Sequence, residues 1–184
     1  VSKNARIAAM VMLVFGGLLY WYQFRGGTGG DLDMEQRAVA RGEGFEVAVP
    51  APFLVVTDDR MPVPEGAVAL AKPTEDRERM SSIIVVRVPD ERRLSDPGSA
   101  DECATTGQTV GGGQGLTLTG TAIVDAPFGK TCEIGLAEGD AFVGRMVIAY
   151  RGDDQWAITC RLEAGDQASA DACQAVVDGL QFIQ

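Results

Sequence analysis

Four cysteines and several paired carboxylates are the residues of this 184-residue chain able to do chemistry, and no histidine assists them. Without imidazole, Ser-His-Asp and Cys-His catalysis are excluded, as are histidine-ligated zinc, haem and non-haem iron. The carboxylate pairs Asp58/Asp59, Glu75/Asp76, Asp90/Glu91 and Asp153/Asp154 fall where turns are expected and read as solvated. No Asp-x-Asp-x-Asp-Gly run marks a calcium loop. Gly111-Gly112-Gly113-Gln114-Gly115 lacks the Gly-Lys-Ser/Thr ending of a phosphate loop and leads from a helix into a strand. That order is the reverse of phosphate at a helix N-terminus, so the run reads as a connector. Arg77, Arg79, Arg87, Arg92 and Arg93 are interleaved with Glu75, Asp76, Glu78, Asp90 and Glu91. Such a mixture suits a solvated loop or a local docking patch, not a nucleic-acid footprint. No catalytic residue, metal site, cofactor or small-molecule substrate is predicted.

The cysteines point to a compartment. Cys103, Cys132, Cys160 and Cys173 are an even set separated by 29, 28 and 13 residues, with no Cys-x-x-Cys. That spacing speaks against zinc and thioredoxin-like chemistry and suits structural disulfides in an oxidising compartment such as a bacterial periplasm. Four buried, reduced thiols are the other reading.

The elements that position them are mostly strands. Phe45–Val49 alternates and stops at Pro50; Phe53–Thr57, Ala67–Ala71 and Ile83–Val88 are short apolar runs, each closed by Asp or Pro. Leu116–Val124 alternates Leu and Thr as a half-exposed strand does, and Lys130–Leu136, Phe142–Arg151 and Gln155–Glu163 form an expected antiparallel meander with acidic, glycine-bearing turns. Ser99-Ala100-Asp101-Glu102 matches a capping box, predicting a helix from Ala100 to about Thr109. A second helix is expected over about 170–179 with Ser169 as N-cap, its apolar face made by Cys173, Val176, Val177 and Leu180. Cys160 shares a strand face with Trp156, Ile158 and Leu162, and so meets Cys173 across a strand-to-helix return. Cys160–Cys173 and Cys103–Cys132 are the expected pairs, of three connectivities the sequence permits.

Ahead of this domain lies an uncharged apolar run, Ile7–Phe24, closing on Tyr20-Trp21-Tyr22. Its 18 residues make roughly 27 Å of helix, close to a bilayer's hydrocarbon thickness. The bulky end Tyr20–Arg25 does not suit a signal-peptidase site, and no cysteine follows to carry a lipid. An uncleaved single-pass anchor over residues 1–25 is expected, with a glycine-rich linker over 26–44 and an α+β domain over 45–184. Three of the 16 basic and none of the 26 acidic side chains lie in residues 1–25, so the remainder carries −13. The positive-inside rule then puts the N-terminus in the cytoplasm and the domain in the periplasm, at a bacterial inner membrane. Within the linker, Met34, Ala38 and Val39 hint at a short helical stripe.

A domain opening Gly44-Phe45-Glu46-Val47-Ala48-Val49-Pro50 and closing Cys173-Gln174-Ala175-Val176-Val177-Asp178-Gly179-Leu180-Gln181-Phe182 resembles the PsbP/Mog1-like superfamily. The resemblance spans about residues 43–184, rests on element order and termini, and supplies no catalytic residue. It implies a mainly antiparallel sheet packed by helices in an α/β/α sandwich, and a non-catalytic accessory role, several such proteins being extrinsic to photosynthetic complexes. The expected function is an accessory subunit of a bioenergetic membrane complex, photosynthetic (a reaction centre) or respiratory. Its partners would be the lipid bilayer and integral membrane subunits, met through Ile7, Met10, Val14, Gly16, Gly17, Tyr20 and Trp21. The alternative is a free-standing tethered periplasmic ligand-binding or sensor module.

Overall fold

A computed structural model describes residues 32–58, 63–75, 79–90, 93–111 and 116–183. In chain order they form β1 (Met34–Glu35), β2 (Val39–Gly42), β3 (Phe45–Ala48), β4 (Leu54–Val56), β5 (Val68–Ala71), β6 (Ser82–Arg87), helix α1 (Ala100–Gly111), β7 (Thr117–Ala126), β8 (Gly129–Glu138), β9 (Phe142–Arg151), β10 (Asp154–Glu163), helix α2 (Gln167–Gly179) and β11 (Gln181–Phe182). Eight strands make an antiparallel sheet in the order β1-β4-β5-β6-β10-β9-β8-β7; three more make a small sheet, β11-β3-β2.

The sheet centre follows from residue type. β6 is a β-branched run buried on both faces, and β10 is buried from Gln155 to Leu162. Those two strands pair along Trp156–Arg161, so the most apolar segments take the middle. One face of the large sheet packs Val85, Ile158 and Leu162 against α2 and the small sheet, where Phe45, Val47, Val176 and Val177 are buried. The other packs Cys132, Ile134, Leu136, Met146 and Ile148 against Cys103 and Val110 of α1. Each fully buried side chain of this size contributes about 1.5–3 kcal/mol.

α1 starts at Ala100 as expected, but its capping box closes only in part, and α2 starts earlier than expected. At α1, Ser99 Oγ accepts from the Glu102 N–H at 3.3 Å, as a capping box requires. The Glu102 carboxylate, however, accepts from the Ser95 and Asp96 N–H groups at 2.8 and 3.2 Å, because the Ser99 N–H already donates to Asp96 O. At α2, Asp166 rather than Ser169 is the N-cap, and Ser169 lies inside the first turn. A carboxylate is the stronger acceptor: Asp166 takes the Ser169 N–H at 3.3 Å and its hydroxyl at 2.6 Å.

The expected linker also needs correction. β1 and β2 lie within 26–44, and the stripe Met34–Val39 is strand and connector, not helix. Main-chain pairing recruits them, β1 to β4 and β2 to β3, with Ala40 the buried side chain of the stretch. Among the described residues no helix is long and apolar enough to cross a membrane. The expected anchor, with Ile7, Met10, Val14, Gly16, Gly17, Tyr20 and Trp21, lies outside the described residues, as does the glycine run 26–30.

Candidate functional site

Three chain reversals meet at one end of the large sheet and leave a cleft of about 410 Å³, lined by Glu43, Gly44, Arg87, Arg151, Asp154, Trp156, Phe182 and Ile183. The β2–β3 turn supplies Glu43 and Gly44, the β9–β10 turn supplies Arg151 and Asp154, and the chain after α2 supplies Phe182 and Ile183. Gly44 makes the junction possible. Its φ is +77°, and a Cβ there would stand 3.1 Å from Cζ2 of Trp156, so a side chain is both strained and crowded. The indole Nε1–H of Trp156 donates to Glu43 O at 2.9 Å, and the Ile183 N–H donates to Gly44 O at 3.0 Å.

The floor is aromatic. The rings of Trp156 and Phe182 lie 4.6 Å apart, and Phe128 meets Phe182 and then Tyr150 edge-on at 6.3 and 6.0 Å. Trp156 is buried, whereas Phe128, Tyr150 and Phe182 are part-exposed, so the array crops out at the surface.

The wall is a chain of ion pairs. Arg87 donates to Glu43 Oε1 at 2.8 Å and to Asp154 Oδ1 at 2.7 Å. Arg93 reaches Asp154 Oδ1 at 3.0 Å and Asp90 Oδ1 at 2.5 Å. Gln155 fastens the strand edge behind them, its amide exchanging two hydrogen bonds with the Leu94 main chain at 2.8 and 2.9 Å. The hydrogen bond from Arg87, and then the positive charges of Arg87, Arg93 and Arg151, hold the Asp154 carboxyl below its ordinary value. The Arg87 guanidinium is correspondingly held above its own by Asp154 and Glu43.

Chemically, this arrangement holds its charges in ion pairs. An acid kept ionised by its arginine neighbours has no proton to give at neutral pH, and Arg87 and Arg93 both bind the same oxygen, Oδ1. Among the described residues no group of three or more His, Cys, Asp or Glu could hold a metal ion. Arg151 is different: it adds positive charge to the cleft but, among the described residues, forms no ion pair. Fixed charges, an aromatic floor and a guanidinium that forms no ion pair among the described residues suit the recognition of a partner surface.

The expected site residues divide accordingly. The structure bonds Cys103 to Cys132, joining α1 to β8, and Cys160 to Cys173, joining β10 to α2. Of the basic cluster, Arg87 and Arg93 converge on Asp154 and Arg79 pairs with Glu163, while Arg77 and Arg92 lie outside the described residues. Asp154, expected as a solvated turn acid, is the hub of the network, and Asp58, likewise expected in solvent, is buried. The sequence reading did not single out Gly44, Arg151 or Phe182 as parts of one site. Gly44 before an alternating strand was the available signal; the 113-residue separation of Glu43 from Trp156 hid the rest.

No protein-family model and no curated protein matches the chain. Solved structures do. The Ran-binding protein Mog1p of Saccharomyces cerevisiae superposes with a TM-score of 0.55 at 11% identity, covering 84% of this chain and 97% of that one. Cyanobacterial PsbP (CyanoP) from Synechocystis superposes with a TM-score of 0.53 at 13% identity, covering 85% and 98%. The domain therefore has the PsbP/Mog1-like fold.

Proposed function

We propose that this chain is a non-enzymatic accessory protein that docks on a protein partner through the aromatic cleft between the β2–β3 and β9–β10 turns. The observation that carries the reading is Arg151. Among the described residues it forms no ion pair and acts on Asp154 only through space, at the rim of a cleft whose Glu43, Arg87 and Asp154 are tied in ion pairs and whose floor is Trp156 and Phe182. An acidic group flanked by apolar side chains complements that surface, the aromatic floor supplying buried area and Arg151 supplying register. A protein partner also accords with Mog1p, named for binding Ran.

The proposal extends to place. The uncharged run Ile7–Phe24 with its basic flank supports a single-pass anchor in a bacterial inner membrane, and two disulfides suit a periplasmic domain. The complex so reached is bioenergetic, photosynthetic or respiratory, with integral subunits packing against the anchor. This follows the role implied by the PsbP-like resemblance. The test is purification of the full chain in mild detergent beside an Arg151→Glu variant, with partners identified by mass spectrometry. The reading expects integral membrane subunits with the parent chain and about tenfold less of them with the variant, the cost of a reversed interface charge. Recovery of the chain alone contradicts it.

A second reading, a tethered ligand-binding or sensor module, is favoured by the cleft's volume, which lies within the range of small-ligand sites. Its signature is saturable binding of a small carboxylate such as N-acetyl-phenylalanine by the isolated protein, reported by the Trp156 indole resonance.

A further inference from the structure

The eight-stranded sheet ends very differently at its two sides. β1, at one edge, is two residues long; β7, at the other, is ten residues long and among the described residues pairs only with β8. Every second residue of β7 therefore turns its N–H and C=O away from the sheet, a ready template for another strand. Protective features are few. Leu116–Val124 contains no charge and no proline, in a chain of which 23% is charged, and a single irregularity interrupts the register between Leu118 and Gly120. From Gly120 to Ala126 the pairing with β8 is regular. α1 stiffens the strand from one face: Gly107 lies so close that a Cβ there would stand 2.4 Å from Thr121 Cγ2.

We propose that β7 pairs antiparallel with β7 of a second copy of this chain, joining two eight-stranded sheets across a two-fold axis at Ile123. The regular segment is self-complementary about that residue. Ile123 faces its own copy, Ala122 faces Val124, Gly120 faces Ala126, and Thr121 faces Asp125. Opposed residues in an antiparallel pair share a sheet face, so each Thr121 hydroxyl is placed to donate to the partner copy's Asp125 carboxylate, twice by symmetry. The two Asp125 residues are four positions apart, roughly 14 Å, beyond the Debye length at physiological salt. A net charge of −10 opposes association over most of the surface, which singles out the uncharged edge. This pairing uses neither the cleft nor the anchor and stands apart from the function proposed above.

The experiment is sedimentation of the full chain in density-matched detergent, with hydrogen exchange followed against protein concentration. The expected result is two chains per particle, and amide exchange over Gly120–Ala126 that slows about tenfold or more from dilute to concentrated protein. Ala122→Lys places a charge on an exposed edge residue opposite Val124 and is expected to abolish both effects while leaving the melting temperature of dilute, monomeric protein unchanged. Val124→Lys serves if that variant does not fold. A monomer at all concentrations overturns the proposal. So does a dimer whose β7 exchange is unchanged, a dimer that survives a folded lysine variant, or β7 protection that appears only with a different protein bound.

Discussion

Asp166 shows how much one carboxylate can carry. It caps α2, accepts both polar groups of Ser169, and pairs with Lys72 at 2.6 Å across 94 residues of chain. The Lys72 and Ser169 hydrogen bonds lower its pKa from 3.8 to about 2. A group whose folded pKa is depressed stabilises the fold above its unfolded pKa and loses that contribution as pH falls through the folded one. Stability should therefore drop by about 1–2 kcal/mol between about pH 4 and pH 2, and Asp166→Asn should flatten that segment of a urea-midpoint-versus-pH curve. A second residue carries the opposite liability. Thr159 is fully buried in β10, and its Oγ1 has no hydrogen-bond partner among the described residues. Thr159→Val keeps the shape and removes the unsatisfied hydroxyl, so it should stabilise by about 1 kcal/mol, raising the thermal midpoint by a few degrees. A midpoint that falls would show that the hydroxyl is satisfied after all. Neither role was legible in the sequence. Asp166 was not singled out and Thr159 was one step in an alternating strand, because the partners that decide their worth, Lys72 above all, are distant in the chain.

Among the elements, the two helices are the parts most dependent on covalent ties. The 13-residue loop closed by Cys160–Cys173 pins α2 to β10, and Cys103–Cys132 pins α1 to β8. Replacing Cys160 and Cys173 together by alanine should lower unfolding free energy by about 3 kcal/mol in urea denaturation, on the chain-entropy account. Gly107→Ala should cost about 1–3 kcal/mol through overpacking, since its Cβ meets Thr121 where α1 crosses β7. Strand identity was readable wherever side chains alternate between core and solvent, and the β8–β9–β10 meander followed from the acidic glycine turns at Gly139 and Gly152. β1 and β2 were not readable. Met34–Glu35 is too short to show a period, and Val39–Gly42 is held by main-chain pairing with β3, its one fully buried side chain being Ala40. The N-cap of α2 was misplaced because Asp166 and Ser169 both satisfy the local rule and charge decides between them, whereas Ser99 caps α1 as expected.

At the scale of the molecule, the order of strands places two surfaces at separate parts of the sheet. β6 and β10 bring Arg87, Asp154 and Trp156 beside the β2–β3 turn, while the chain crosses through α1 to leave β7 as the far edge. The resemblance of the domain's opening and closing segments to PsbP/Mog1-like proteins anticipated the fold, but strand order depends on long-range pairing that local patterning does not encode. The cleft was invisible for the same reason, since its lining comes from four separated segments. The most direct test of docking through this cleft is photo-cross-linking in cells. One photoreactive residue replaces Ile183 at the cleft, and another replaces Asp140 in the exposed β8–β9 turn as a control. The account predicts a cross-link from position 183 to an integral membrane subunit, lost on Arg151→Glu, and none from position 140. No cross-link at the cleft, or equal cross-linking from both positions, would contradict it.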